Sequence, residues 1–247
     1  ADNTTTKTLV QCEEAHAMGN SEGGFKEYWD IVRKYPKYQG GFIWDFVDQS
    51  LRGKGKGGVE IYTYGGDYNA YDGTDGNFND NGLISPDRVP NPHMDEVGYI
   101  YQNIWTAPID LKAGKVSVFN ENFFIDLSAY RMQWTLLVNG DAIQSGIIED
   151  LKVAPQAKKE YSLPYDLSRI CKCKEVLLNI EFIQKQADGL IAAGQVVARQ
   201  QHTIQAFKSK ALALAPKRQT PQVVDNDNNY LIINGEDFNV EFSRAHG

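Results

Sequence analysis

Short apolar runs broken by acidic, Gly and Asn residues give this chain two different rhythms. In the first, Leu9-Val10-Gln11-Cys12 is followed abruptly by Glu13-Glu14-Ala15-His16. That pattern predicts a buried strand that delivers carboxylates and an imidazole to one rim of a sheet, where α/β enzymes keep their chemistry. A helical period comes next, with Phe25, Tyr28, Trp29 and Ile31 or Val32 marking one apolar face. It predicts a helix over 22–34, with Ser21 as the N-cap and Pro36 as the stop. A second apolar strand ends near Trp44. A long stretch over 52–92, rich in Gly, Asn, Asp and Tyr, reads as a connection, and one that long inside a compact domain is usually functional. A last helix is expected over 94–103. Strand and helix alternate through this first part, which is the α/β pattern.

From Trp105 the rhythm shortens. Residues 116–120, 130–138, 142–149, 158–163, 176–182 and 195–203 are short runs of β-rich composition. Asn139-Gly140, between two of them, is the strongest hairpin signal in the chain. Six or seven strands in about a hundred residues predict an immunoglobulin-like sandwich. Residues 211–220 read as a linker, and residues 230–242 as a hairpin. The expected organisation is therefore α/β followed by all-β, with domains over 1–104, 105–208 and 209–247.

Composition narrows the function. The chain has 247 residues, 42% hydrophobic and 11% aromatic, enough to bury a sizeable core. A net charge of −7 argues against nucleic acid, whose phosphates need clustered Lys and Arg. The one basic run, Arg52-Gly53-Lys54-Gly55-Lys56, lies among glycines and is expected to be a solubilising loop. No apolar stretch approaches a membrane span, and Ala1-Asp2-Asn3-Thr4-Thr5-Thr6 carries no charged-then-apolar signal segment. Three cysteines make no disulfide framework. Cys12 is expected in the core. Cys171 and Cys173, two apart, would share one face of an exposed edge strand. No second Cys or His pair stands at zinc-ligand spacing.

Leu9-Val10-Gln11-Cys12-Glu13-Glu14-Ala15-His16-Ala17-Met18-Gly19-Asn20 resembles the nucleophile segment of the large β-galactosidases of glycoside hydrolase family 2, with Glu14 where that family usually has Tyr. Gly40-Gly41-Phe42-Ile43-Trp44-Asp45-Phe46-Val47-Asp48-Gln49-Ser50 resembles the family's next barrel strand. Tyr64-Gly65-Gly66-Asp67, Phe78, Asn81-Gly82-Leu83 and Pro86-Asp87-Arg88 resemble the loop after it, in the same order. The resemblance implies that the first part is the end of a (β/α)8 barrel, its seventh and eighth strands. The chain would then be an internal fragment that continues through the immunoglobulin-like sandwich into the first strands of a further β domain.

The resemblance implies a retaining hydrolase of β-galactosides, with Glu13 as the nucleophile and the acid/base glutamate on an earlier strand outside this chain. Glu13 and Glu14 cannot themselves be the catalytic pair, because successive strand side chains point to opposite faces. From the residues alone, Glu13 also reads as a strand-end carboxylate capping a helix, and Glu14 as a solvated or salt-bridged rim residue. The resemblance places His16 and Trp44 in the sugar pocket, His16 on a hydroxyl and Trp44 stacked on a pyranose face. The alternatives are a loop imidazole satisfied by backbone and a core aromatic. Asp45 and Asp48 read as loop anchors or as residues that orient others. Phe78 and Asn81 match positions where the family binds sodium through hard oxygen donors, while its magnesium ligands lie upstream. The parent is expected to be a homo-oligomer acting on a β-galactoside, without nucleic acid or membrane. Two other readings remain: a non-catalytic β-sandwich spacer or carbohydrate-binding module, and a related β-glucuronidase or β-mannosidase.

Overall fold

Two parallel strands joined by a helix open the structure, a computed structural model that describes residues 6–18, 22–73, 76–208, 219–226 and 229–246. Strand β1 (Leu9–Glu14) pairs in parallel with β2 (Tyr38–Ile43), with Leu9 opposite Tyr38 and Glu14 opposite Ile43. Parallel neighbours need a crossover, and helix α1 (Phe25–Lys34) supplies it. The helix begins three residues later than the periodicity predicts. Glu22 (φ 69°) and Gly24 (φ 78°) hold left-handed backbone just before it, and the expected Ser21 cap lies outside the described residues. Tyr35 is already extended (φ −119°, ψ 104°), as a residue before proline should be. Phe25 is buried with Ala15, Leu83, Val97 and Ile100, and Trp29 packs edge-on against Tyr101 at 4.7 Å.

The long stretch after β2 is more structured than its composition suggests. Strands β3 (Leu51–Lys54) and β4 (Glu60–Thr63) form an antiparallel hairpin inside it. The basic run is therefore not a free solubilising loop. Arg52 holds Asp87 through two guanidinium nitrogens, at 2.8 and 2.5 Å, and Tyr62 donates to the same carboxylate at 2.6 Å. These partners depress the Asp87 carboxyl to about 2. Helix α2 (Met94–Ile100) closes the segment, shorter than the predicted 94–103.

Seven strands then form two antiparallel sheets. Strands β5 (Ile104–Asp110), β6 (Lys115–Asn120) and β9 (Lys158–Ser162) stand in the order β5-β6-β9. Strands β7 (Tyr130–Val138), β8 (Asp141–Ile148), β10 (Val176–Gln184) and β11 (Val196–Gln205) stand in the order β11-β10-β7-β8. Alternation is strict in β7, where Tyr130, Met132, Trp134, Leu136 and Val138 all point inward. They meet Val116, Val118, Val176, Leu178, Ile180 and Phe182 in one core. Burying a side chain of that size stabilises by ~1.5–3 kcal/mol. Asn139 (φ 51°) and Gly140 (φ 93°) make the turn between β7 and β8, and two such positive angles are what a tight hairpin demands. Strand β5 was absent from the pattern because Pro108 interrupts it. Its place at a sheet edge explains how proline is tolerated.

Arg33 ties α1 to this sandwich. Its guanidinium makes two hydrogen bonds to Glu121 (2.8 and 3.0 Å), donates to the Ile100 carbonyl at 2.9 Å, and lies 4.7 Å over the Trp105 ring. Trp105 Nε1 donates to the same Glu121 at 2.7 Å. The Arg199 backbone N–H donates to Gln102 Oε1 at 2.8 Å, adding a second tie.

Residues 1–206 form one compact body and 207–247 a second. The second is a three-stranded antiparallel sheet, β12 (Gln222–Asn226), β13 (Tyr230–Asn234) and β14 (Asn239–Ser243), in that order. The expected hairpin is β13 and β14, and most of the predicted linker lies outside the described residues. Among the described residues, no helix is long and apolar enough to cross a membrane.

Candidate active site

The ends of β1 and β2 build one rim. The backbone N–H of Trp44 donates to the Glu14 carbonyl (3.2 Å), and that of Ala17 donates to the Trp44 carbonyl (3.0 Å). Glu13, His16 and Trp44 are thereby carried by two strand ends laced together.

The two adjacent glutamates have opposite fates. Glu13 is exposed, while Glu14 is only 3% exposed. Glu14 is not the solvated rim residue its sequence position suggests. Its Oε2 accepts a hydrogen bond from the Tyr38 hydroxyl at 3.0 Å, and its Oε1 has no hydrogen-bond partner. Tyr38, 8% exposed, shares that one hydroxyl proton with Gln11 Oε1, 2.9 Å away. Burial and the neighbouring carboxylate push the Tyr38 hydroxyl up to about 12, so it stays a donor at neutral pH. Gly41 lets β2 approach: a Cβ there would collide with the Glu14 carboxylate. Cys12, expected in the core, is exposed, because the buried cluster of this segment takes in Ala15 but none of residues 9–13 of β1.

His16 is half-buried. Its Nε2 lies 3.3 Å from Asn81 Nδ2, and its ring sits 5.4 Å from the Phe78 ring. Trp44 is 38% exposed. The loop after β2 is zipped to 81–84 by backbone bonds: Asp45 N–H to the Asn81 carbonyl (2.8 Å), Leu83 N–H to the Asp45 carbonyl (2.9 Å), and Ile84 N–H to the Phe46 carbonyl (3.0 Å). Asp48 anchors this zipper, its Oδ1 accepting from Gly82 N–H at 2.7 Å. A Cβ on Gly82 would strike the backbone of Val47 and Asp48, so this approach requires glycine. Asp45 accepts from Gln49 Nε2 and the Phe46 N–H. The structure thus brings Asn81 and Phe78 to His16, and His16 to the strand end that holds Glu13.

Asn81 is 1% exposed, and its Oδ1 is buried without a hydrogen-bond partner. A buried amide oxygen with an unused lone pair is a natural donor to a hard cation. No cluster of three or more His, Cys, Asp or Glu side chains suited to a metal occurs among the described residues. Behind the rim, Glu22 is buried beside His93, whose Nε2 is 3.8 Å away. Burial raises the Glu22 carboxyl above its ordinary value, and His93 opposes that rise. Neither the Tyr38–Glu14 contact nor the Glu22–His93 pair was visible in the sequence, since partners 24 and 71 positions apart share no local pattern.

Comparison with known proteins places these features in a family. Residues 1–106 match the family described as "Glycosyl hydrolases family 2, TIM barrel domain", and residues 116–205 match "Beta-galactosidase, domain 4". The chain is 39% identical over 249 residues to a β-galactosidase of Halalkalibacterium halodurans, covering 99% of this chain and 23% of that protein. It is 35% identical over 244 residues to one from Priestia megaterium, covering 98% and 23%. It is 34% identical over 241 residues to one from Clostridium acetobutylicum, covering 98% and 26%. The chain spans about a quarter of the length of these relatives. It belongs to glycoside hydrolase family 2, and its relatives there are β-galactosidases.

Proposed function

We propose that this chain is the part of a retaining β-galactosidase that supplies the nucleophile, Glu13. The observation that carries this reading is an exposed carboxylate at the C-terminal end of a parallel strand, with its neighbour Glu14 turned inward and His16 and Trp44 on the same rim. A carboxylate used as a nucleophile must reach the anomeric carbon, and of the two adjacent glutamates only Glu13 faces outward. Its attack would form a galactosyl ester while a carboxylic acid opposite protonates the departing oxygen; water then cleaves the ester. The resemblance puts that acid on an earlier strand, so this polypeptide alone is expected to turn over no substrate. Trp44, more than a third exposed, offers an indole face to the sugar, and His16 a hydrogen bond to a hydroxyl.

The finer architecture follows the same reading. β1 and β2 serve as the seventh and eighth strands of a (β/α)8 barrel. The outward Leu9, Val10, Phe42 and Phe46 are apolar surface suited to cover by the rest of that barrel. The sandwich is immunoglobulin-like: its first, second and fifth strands share one sheet, and its third, fourth, sixth and seventh share the other. A sodium ion suits the Asn81 Oδ1 and the Phe78 carbonyl, where it would order the loop beside His16 and offer positive charge to a sugar hydroxyl.

The test is substitution in the full-length protein that contains this chain. Glu13→Gln removes the attacking charge and keeps the shape, so it should lower kcat by at least ~10³ with an unchanged melting temperature. Glu14→Gln should retain most of kcat. The reverse order of effects would overturn the assignment.

A further inference from the structure

The turn before β10 carries a pair of thiols that the hydrolase reading does not use. Cys171 and Cys173 are both free and exposed, and neither lies in a strand, contrary to the edge strand expected from their spacing. The turn brings them together: the Cys173 backbone N–H donates to Cys171 Sγ at 3.3 Å. The turn is itself fixed. Gln205 Nε2, at the end of β11, donates to the carbonyls of Cys171 (3.1 Å) and Lys174 (2.5 Å), and Lys174 N–H donates to the Cys171 carbonyl at 3.1 Å. Residues two apart in a turn have Cα atoms separated by roughly 5–7 Å, within the span a disulfide bridges.

We propose that Cys171 and Cys173 form a dithiol site that exchanges with small disulfides of the glutathione class, Cys171 attacking and Cys173 resolving. The Cys171 thiolate attacks one sulfur of the disulfide, forming a mixed disulfide and releasing one thiolate. The Cys173 thiolate then attacks Cys171 Sγ, closing the Cys171–Cys173 bond and releasing the second. The dithiol loses two electrons and two protons, and the small disulfide is reduced to two thiols. The order of roles follows from the hydrogen bonding. The Cys173 thiol beside it, the Cys173 backbone N–H that Cys171 Sγ accepts and the nearby Lys174 together hold the Cys171 thiol below its usual range. The same contact with Cys171 holds Cys173 above it. Cys12 is also exposed but has no thiol neighbour two residues away, so it can carry a mixed disulfide yet has nothing there to resolve it.

The experiment treats the purified chain with glutathione disulfide at neutral pH, alkylates the remaining thiols and maps the peptides by mass. The peptide holding 171–173 should contain an internal disulfide, while Cys12 carries glutathione or alkyl. In a C12S background, Cys173→Ser should stop at glutathione on Cys171. Cys171→Ser should acquire glutathione on Cys173 about tenfold more slowly. In denaturant the two variants should react at similar rates, since the native turn sets the asymmetry. Equal native rates for the two variants, glutathione retained on both cysteines of the unmodified pair, or an asymmetry that survives denaturation would each overturn the proposal.

Discussion

The sandwich and the strands that carry the candidate nucleophile solve the burial problem differently. In the sandwich, alternate residues of facing strands meet one another, and Met132, Leu136, Leu178, Ile180 and Phe182 are wholly buried. In the β1–β2 segment, Phe25, Val97 and Ile100 are sealed on the helical side, but Leu9, Val10 and Phe42 stand more than half exposed on the strands. The difference shows which part of the chain closes its own core and which presents a surface. The surface is where Glu13 is found.

Truncation in the two regions should separate them most widely. Phe182→Ala should cost ~3–5 kcal/mol, because it opens a cavity in the closed core. Phe42→Ala, 67% exposed, should cost under ~1 kcal/mol in this chain. Chemical denaturation of both variants measures the contrast, and equal losses would erase the distinction.

The tie between the regions comes next in size. Arg33→Ala removes a two-pronged ion pair, a carbonyl contact and stacking on Trp105. The site is partly exposed, so ~1–2 kcal/mol is expected. Hydrogen exchange should rise in α1 and at the start of β5 while the β7–β10 core stays protected. Uniform loosening of both regions would show that they unfold as one.

The smallest effect concerns Glu22. Its carboxyl is raised by burial, so its contribution to stability is full below the ordinary carboxylate value and is lost as pH rises through the raised one. Glu22→Gln, which removes the buried charge, should raise the melting temperature at pH 7 and change it little at pH 4. A fall at pH 7 would mean that the His93 contact outweighs the desolvation.

Legibility in the sequence followed the range of the interactions. The β7–β8 hairpin was readable because Asn139-Gly140 states its own turn geometry, and β7 because its alternation is unbroken over nine residues. The hairpin of β3 and β4 was not, since glycines at 53, 55, 57 and 58 mask a strand whose pairing is fixed partly by distant Asp87. At the site, Glu13, His16, Trp44, Phe78 and Asn81 were nameable from local motif. The inward turn of Glu14 was not, because Tyr38 and the missing side chain at Gly41 decide it from the neighbouring strand.

The most direct test of Glu13 as nucleophile is covalent. A 2-deoxy-2-fluoro-galactosyl donor should trap the full-length protein as a galactosyl ester, and peptide mapping should place the label on Glu13. A label on Glu14, or on a residue outside this segment, would contradict the account.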